Sequence, residues 1–328
     1  VTEPLHLAVA LDGTGWHPAS WREPDARPTE LLTAQYWTDL VTEAERGLLA
    51  FATIEDSLAL QSEDPLRPDT RTDRVRGRLD AVLIASRVAP RTSRIGLVPT
   101  AVVTHTEPFH LSKAIATLDY VSLGRAGVRV QVAPGRHTAR HFGRRDLPDL
   151  SEELATELLD EAADYVEVLR RLWDSWEDDA EIRDVATGRF IDRTRLHYID
   201  FHGEKFSVKG PSITPRPPQG QPIVAALSHG SLGFPLLAGS TDVAFLTPRD
   251  TAAAARSVEA IAALRTDPHP VRVFADLVVL LDATTAEAQA RRRRLDDLAG
   301  AEFTSDAEIF VGTPADLADL LVERQSAG

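Results

Sequence analysis

The stretch IGLVPTAVVTHTEPFHLSKAIATLDYVSLGRAGVRVQVAPGRHTARHFG, residues 95–143, decides the fold. It runs from an apolar strand through a polar turn into a helix with its apolar positions on one face. A Gly-Arg stop and a second strand follow. Two strands joined by a helix form a βαβ unit, a crossover that favours a parallel sheet. Thr104, His105 and Glu107 fall just past the carboxyl end of the first strand. In α/β folds ligands bind at that edge.

The same alternation extends in both directions. Residues 5–12 and 51–56 read as strands, with a helical pattern over 33–49 between them and another over 80–88. A long amphipathic helix is expected over 154–176, its apolar residues recurring every three or four positions. Residues 222–227, 243–247 and 271–282 read as further strands with helices between. Repeated β-then-α units with few hairpin signals predict an α/β fold, a closed (β/α)8 TIM-type barrel rather than an open sheet. The chain is read as one domain over residues 1–328.

Residues 177–221 break the pattern. They are charged, then rich in Gly and Pro, and predict an excursion with a short hairpin over 189–208. Near the carboxyl end, IFVGTPADLADLLVERQSAG predicts a turn and a helix capped by Thr313, with Pro314 in its first position. An eighth strand would be expected next, yet the sequence stops at Gly328. It also lacks methionine altogether and starts at Val1, so a truncated record is expected.

Composition narrows the function. The 328 residues are 43% hydrophobic and 26% charged, with a formal net charge of −14. Such an acidic balance argues against a nucleic-acid partner, which requires a basic face. No apolar run is long enough to span a bilayer, and no secretory signal is visible, so a cytoplasmic enzyme is expected. Cysteine is absent, which removes disulfides, thiolate metal sites and a cysteine nucleophile. The histidines lack metal-ligand spacing such as HExxH. The basic run Arg291, Arg292, Arg293, Arg294 reads as a solvated helix face.

Several segments carry a resemblance. GWHPASWREPDA (15–26), EAERGLLAFATIEDS (43–57), THTEPFHLSKAIATLDYVSLGR (104–125), and LWDSWEDDA with GRFID resemble the bacterial luciferase-like flavin monooxygenases. Within that family they are most similar to the branch containing nitrilotriacetate and dibenzothiophene-sulfone monooxygenases. The resemblance implies a luciferase-like barrel holding reduced FMN at the carboxyl ends of the strands. It further implies a small organic substrate, O2, a separate NAD(P)H:flavin reductase and a homodimer.

The residues then take expected places. Asp56 and Ser57 end strand two and would hydrogen-bond the flavin, or else cap the following helix. Pro99 inside strand three predicts a bulge beneath the flavin ring, with Thr100 and Thr104 at the ring edge. Ser228, His229 and Ser231 follow strand five at a helix start, a place suited to the flavin phosphate or to a plain N-cap by Ser228. His105 or His141 would be the catalytic polar group, and His17, Trp21 and Arg22 would line the substrate pocket. Arg136, His137, Arg140 and His141 would line an anionic site or form a solvated loop.

Departures from the family pattern sit beside these matches. The Trp-Asn and Val-Thr-Ser expected on strand four are Val128, Arg129, Val132 and Ala133. The Arg-Tyr pair of the long helix is Leu158 and Leu159. Arg129, placed among the cofactor-binding positions, needs an anionic partner if buried; Glu55, Asp56 and a substrate carboxylate are the candidates. Gln131 is expected to point opposite to Arg129. Three lost polar contacts at about 0.5–1.5 kcal/mol each leave two alternatives open. One is an F420-dependent oxidoreductase; the other is a non-redox paralogue that has lost flavin.

Overall fold

Seven parallel strands, ordered as they occur in the chain, form the main sheet. The computed structural model describes residues 5–326; Val1 and Gly328 lie outside the described residues. The first half contains β1 (Ala8–Leu11), α1 (Ala34–Arg46), β2 (Phe51–Ile54), α2 (Ala81–Val88), β3 (Gly96–Val102), α3 (Pro108–Ser122) and β4 (Gly127–Gln131). A short α4 (Arg136–Phe142) and the long α5 (Glu152–Trp173) follow. After two small antiparallel ribbons, β5 (Glu181–Asp184) with β6 (Arg189–Ile191) and β7 (Phe201–His202) with β8 (Ser207–Val208), the alternation resumes. It continues through β9 (Ile223–Ser228), α6 (Phe234–Ser240), β10 (Val243–Leu246), α7 (Thr251–Leu264) and β11 (Arg272–Ala275). The last elements are β12 (Leu277–Leu281), α8 (Thr285–Ala299), β13 (Glu308–Gly312) and α9 (Pro314–Gln325).

The order β1-β2-β3-β4-β9-β10-β11 is that of a barrel wall, and ring contacts show that it curls. Phe51 on β2 lies 6.0 Å from Phe245 on β10 and 5.0 Å from Phe274 on β11, centroid to centroid. In a flat sheet, four and five strand spacings would separate them by about 19 and 24 Å. The three rings join Val98, Ala225, Val243 and Leu227 in an inner floor. Among the described residues, no strand pairs with both β1 and β11, so the sheet keeps these two edges.

Helices cover the outer face. Trp37 and Val41 of α1 and Ile84 and Val88 of α2 pack on Leu97 and Ile54. Tyr165, Leu169 and Trp173 of α5 pack on Val128, Val224 and Leu237. α5 begins at Ser151, whose side chain accepts from the Leu154 N–H. Glu152 and Glu153 occupy its first turn and Arg170 and Arg171 its last, charges that suit the helix dipole.

Several expectations change here. The bulge at Pro99 is not formed. Leu97 pairs with Ala126 and Thr100 with Arg129 in one register, so no residue is inserted. Proline is tolerated because pairing with β2 ends at Pro99 and the β4 ladder resumes at Thr100. The expected strand over 271–282 breaks at Asp276: β11 stays on β10, while β12 leaves to pair with β13. The segment IFVG, read as a turn, is most of β13. The hairpin over 189–208 is replaced by the two separate ribbons, because β6 pairs backwards with β5 and not forwards.

Candidate active site

Val128 and Val130 pack outward against α5. Side chains alternate along a strand, so Arg129 and Gln131 both project inward. The expectation that these two oppose each other is corrected: residues two apart on a strand share a face. Arg129 Nε donates to Thr100 Oγ1 at 2.9 Å, and Nη2 donates to both oxygens of Glu55. The Arg129 and Glu55 side chains are 8% and 10% exposed. Glu55 is therefore the anionic partner of Arg129, and Asp56 is not.

Glu55 directly follows β2, and its N–H donates to Leu11 O at 2.9 Å. Burial pushes its carboxyl upward, and the Arg129 charge opposes that shift. Asp12, paired with Arg78 at 2.6 Å, adds to the upward push. Across the mouth, the break between β11 and β12 places Asp276, whose N–H donates to Leu246 O at 2.8 Å. Burial pushes the Asp276 carboxyl up to about 6; Arg129 pulls it down and Glu55 raises it. Among the described residues no donor or cation bonds that carboxyl, and part of it stays open to the cavity.

A second cluster lies past the ends of β3 and β4. Thr104 Oγ1 accepts from the Ala133 N–H at 2.8 Å, and Thr104 O accepts from Arg145 Nη2 at 2.8 Å. His105 is 8% exposed and stacks on Phe142 with centroids 5.3 Å apart. Burial first, and then the Arg145 charge, lower its pKa, so the imidazole is neutral near pH 7. Its Nε2 is buried and has no hydrogen-bond partner among the described residues. His141 is exposed, and its Nδ1 donates to Leu58 O at 3.0 Å; His137 Nδ1 donates to Leu66 O at 3.1 Å. These bonds hang α4 from the segment after β2. Arg136 pairs with Asp146 at 2.9 Å, and Arg140 is exposed, so this group forms a solvated helix face.

Ser228 ends β9, and its hydroxyl donates to Gly230 O at 2.7 Å. It caps no helix: a 3-10 turn over Ser231–Gly233 intervenes before α6, and neither of their N-caps bonds through a side chain. His229 and Ser231 are exposed on the rim. His229 Nδ1 sits 3.4 Å from Thr247 Oγ1 and 3.7 Å from Asp306 Oδ2.

Asp56 is occupied by backbone. One oxygen accepts from the Ser57 N–H at 2.7 Å, the other from the Ala81 N–H at the start of α2 at 2.9 Å. His17 is buried, with Nδ1 accepting from the Ala19 N–H at 3.1 Å and Nε2 donating to Asp296 Oδ1 at 3.1 Å. Nδ1 thus braces the first loop internally, and Nε2 fastens it to α8. Trp21 Nε1 donates to Asp73 O at 3.1 Å and Arg22 Nη1 to Leu298 O at 2.9 Å. Neither Trp21 nor Arg22 contributes to the cavity wall.

The cavity measures about 2390 Å³, well above the roughly 300–1,000 Å³ of an ordinary ligand pocket. It joins the mouth, with Glu55, Arg129, Gln131 and Asp276, to an apolar trough along the open side between β1 and β11. Gln131 Oε1 is buried there, without a donor among the described residues. An apolar wall with a few converging polar groups is the form that small-molecule sites take. Among the described residues no group of three or more acidic or histidine side chains is arranged to hold a metal, and no helix is long and apolar enough to cross a membrane. Asp276 escaped sequence reading because it lies inside the apolar run VRVFADLVVLLD; a lone acid in such a run was the available signal.

Comparison with known proteins agrees with this geometry. The chain is 35% identical over 298 residues to N-acetyl-S-(2-succino)cysteine monooxygenase of Bacillus subtilis (strain 168), covering 90% of this chain and 65% of that protein. It is 30% identical over 309 residues to nitrilotriacetate monooxygenase component A of Aminobacter aminovorans, covering 91% and 67%. It thus spans about two thirds of the length of these relatives. The crystal structure of a long-chain alkane monooxygenase superposes with a TM-score of 0.83 at 22% identity, covering 99% of this chain and 86% of that one, a likeness of fold. The family model described as luciferase-like monooxygenase matches residues 16–328. This chain belongs to the luciferase-like monooxygenase family.

Proposed function

We propose that this chain is the oxygenase component of a two-component flavin-dependent monooxygenase acting on a small organic molecule. Reduced FMN would arrive from a separate NAD(P)H:flavin reductase. The observation that carries the reading is the mouth at the carboxyl ends of the strands: an apolar-walled cavity into which a few polar groups converge, in a chain of this family. Placement in the cytoplasm and assembly as a homodimer belong to the same proposal.

The residues present fit a flavin. The cavity is large enough, and Gln131 Oε1 is a buried acceptor awaiting a donor. Exposed Ser231 and His229 would hold the phosphate at the rim, with Ser228 shaping the turn beneath it. Arg129 would face the ring, positioned by Thr100, while Thr104 and Asp56 fix the surrounding loops. Bound reduced FMN supplies the two electrons that send one atom of O2 to water as the other enters the substrate. The protein's part is to orient the substrate against the apolar wall and exclude water. His105, neutral and unpartnered at Nε2, would accept or return a proton, and His141 is the second candidate from the facing helix.

One observation favours a rival. Arg129 and Glu55 satisfy each other at the place where the resemblance expects an asparagine, which suits a paralogue that binds a ligand without flavin. An F420 oxidoreductase is the third reading, in which the arginines of α4 would meet an acidic tail. The test supplies NADH, FMN and a flavin reductase with a panel of organosulfur and amine substrates under air. Oxygenated product dependent on this chain supports the monooxygenase. Unchanged substrate across the panel, with no binding of reduced FMN, refutes it.

A further inference from the structure

We propose that the mouth selects substrates carrying a protonated amine, and that Asp276 is the residue that determines this specificity. The proposal rests on reading the mouth as the substrate site of the monooxygenase.

The argument begins with which charges at the cavity are already spent. Arg129, which points into the mouth, gives Nη2 to both oxygens of Glu55 and Nε to Thr100. Arg78 behind it is paired with Asp12. Further along the wall, Arg291 is held by Asp282, and Arg324 gives Nη2 to Glu308 while its Nη1 keeps no hydrogen-bond partner among the described residues. A carboxylate entering the mouth would have to displace Glu55 from Arg129 while facing Asp276. Like charges opposed in a poorly solvated site are strongly disfavoured.

Asp276 is the counterpart left over. The break between β11 and β12 turns it to the cavity, with no donor or cation bonded to it among the described residues. The charges acting on it are Arg129 from β4, which lowers its pKa, and Glu55 from the end of β2, which raises it by less. At the far rim His229 and Asp306 form their own contact at 3.7 Å. An ammonium group would supply the missing positive charge at Asp276, which lines the cavity.

The carboxyl of Asp276, held near 6, gives the preference a pH signature. An ammonium ligand binds the ionised form, so its affinity rises as pH passes upward through about 6. A carboxylate ligand prefers the neutral form, so its affinity falls over the same range.

The test uses benzylamine, benzyl alcohol and benzoate as probes of nearly one shape, titrated calorimetrically into the chain between pH 5 and pH 8. Expected is benzylamine binding at least tenfold tighter than benzoate at pH 8, about 1.4 kcal/mol, with the ratio shrinking toward pH 5. Asp276→Asn would abolish both the preference and its pH dependence, with folding checked by circular dichroism. Benzoate binding as well as benzylamine at pH 8, no saturable benzylamine binding, or a preference that survives in Asp276→Asn would each overturn the proposal. If the variant fails to fold, the crossed pH profiles of the unmodified chain decide alone. Reduced FMN is titrated anaerobically into the same preparation. Amine preference without FMN binding would refute the monooxygenase reading and leave Asp276 as the determinant of amine binding in this cavity, no longer of a monooxygenase substrate.

Discussion

Removing the Arg129–Glu55 pair one partner at a time should give unequal losses that fail to add. Both side chains are nearly enclosed, at 8% and 10% exposure, and breaking a buried pair from one side costs about 3–5 kcal/mol. In Glu55→Gln, Asp276 remains to offset the Arg129 charge, which places the loss near about 3 kcal/mol. In Arg129→Met, Glu55 and Asp276 are left together with Asp12 behind them, which places the loss near about 5 kcal/mol at pH 7.5. Acidification then narrows the Arg129→Met deficit as the stranded carboxyls take up protons, whereas it leaves the Arg129 charge in Glu55→Gln in place. The double variant should cost about 2–3 kcal/mol less than the sum of the singles, the upper part of the roughly 0.5–3 kcal/mol range for residues in direct contact. Urea denaturation followed by tryptophan fluorescence measures all four corners of the cycle. Additivity within about 0.5 kcal/mol, or a larger loss from Glu55→Gln than from Arg129→Met, would refute the electrostatic account of the mouth.

Other outcomes follow from single groups. Asp276 holds its proton more tightly folded than unfolded, so its ionisation lowers stability as pH rises from about 4 through about 6. Asp276→Asn should therefore gain up to about 3 kcal/mol at pH 8 and nothing at pH 4, from some two units at 1.36 kcal/mol each, read from melting curves across pH. Asp56→Ala removes the acceptor of the Ser57 and Ala81 N–H groups and should cost about 1–2 kcal/mol. If Asp56 acts only on the loop, the Kd for reduced FMN stays within twofold; a tenfold loss (about 1.4 kcal/mol) would make it a cofactor ligand. His105→Phe preserves the stack on Phe142 and should leave the fold intact. It should lower the rate of product formation by roughly 10²-fold or more, and an unchanged rate would remove His105 from the proton path.

Most of the barrel was legible because its signals are local. Residues 95–143 show strand, helix and strand in order, and the structure has β3, α3 and β4 there. Ser151 and Glu152 before the apolar stripe account for α5 beginning two residues earlier than periodicity alone suggested. What was not legible depends on long-range geometry. The break at Asp276 arises because β10 holds one half of the run and β13, some thirty residues on, takes the other. The use of His17 for Asp296 joins positions 279 residues apart, and no spacing rule reports that. Arg129 announced itself as a buried charge needing a partner, and Glu55 was among the candidates. Only the folded mouth shows that the pair closes on itself and leaves Asp276 over.

The most direct measurement is an anaerobic titration of the chain with reduced FMN, followed by rapid mixing with O2. The account predicts saturable binding with a Kd of about 1–10 μM, roughly −8 to −7 kcal/mol. It also predicts that bound flavin reoxidises along a time course distinct from that of free reduced FMN. No saturation up to about 1 mM (roughly −4 kcal/mol), with reoxidation identical to that of free flavin, would contradict it.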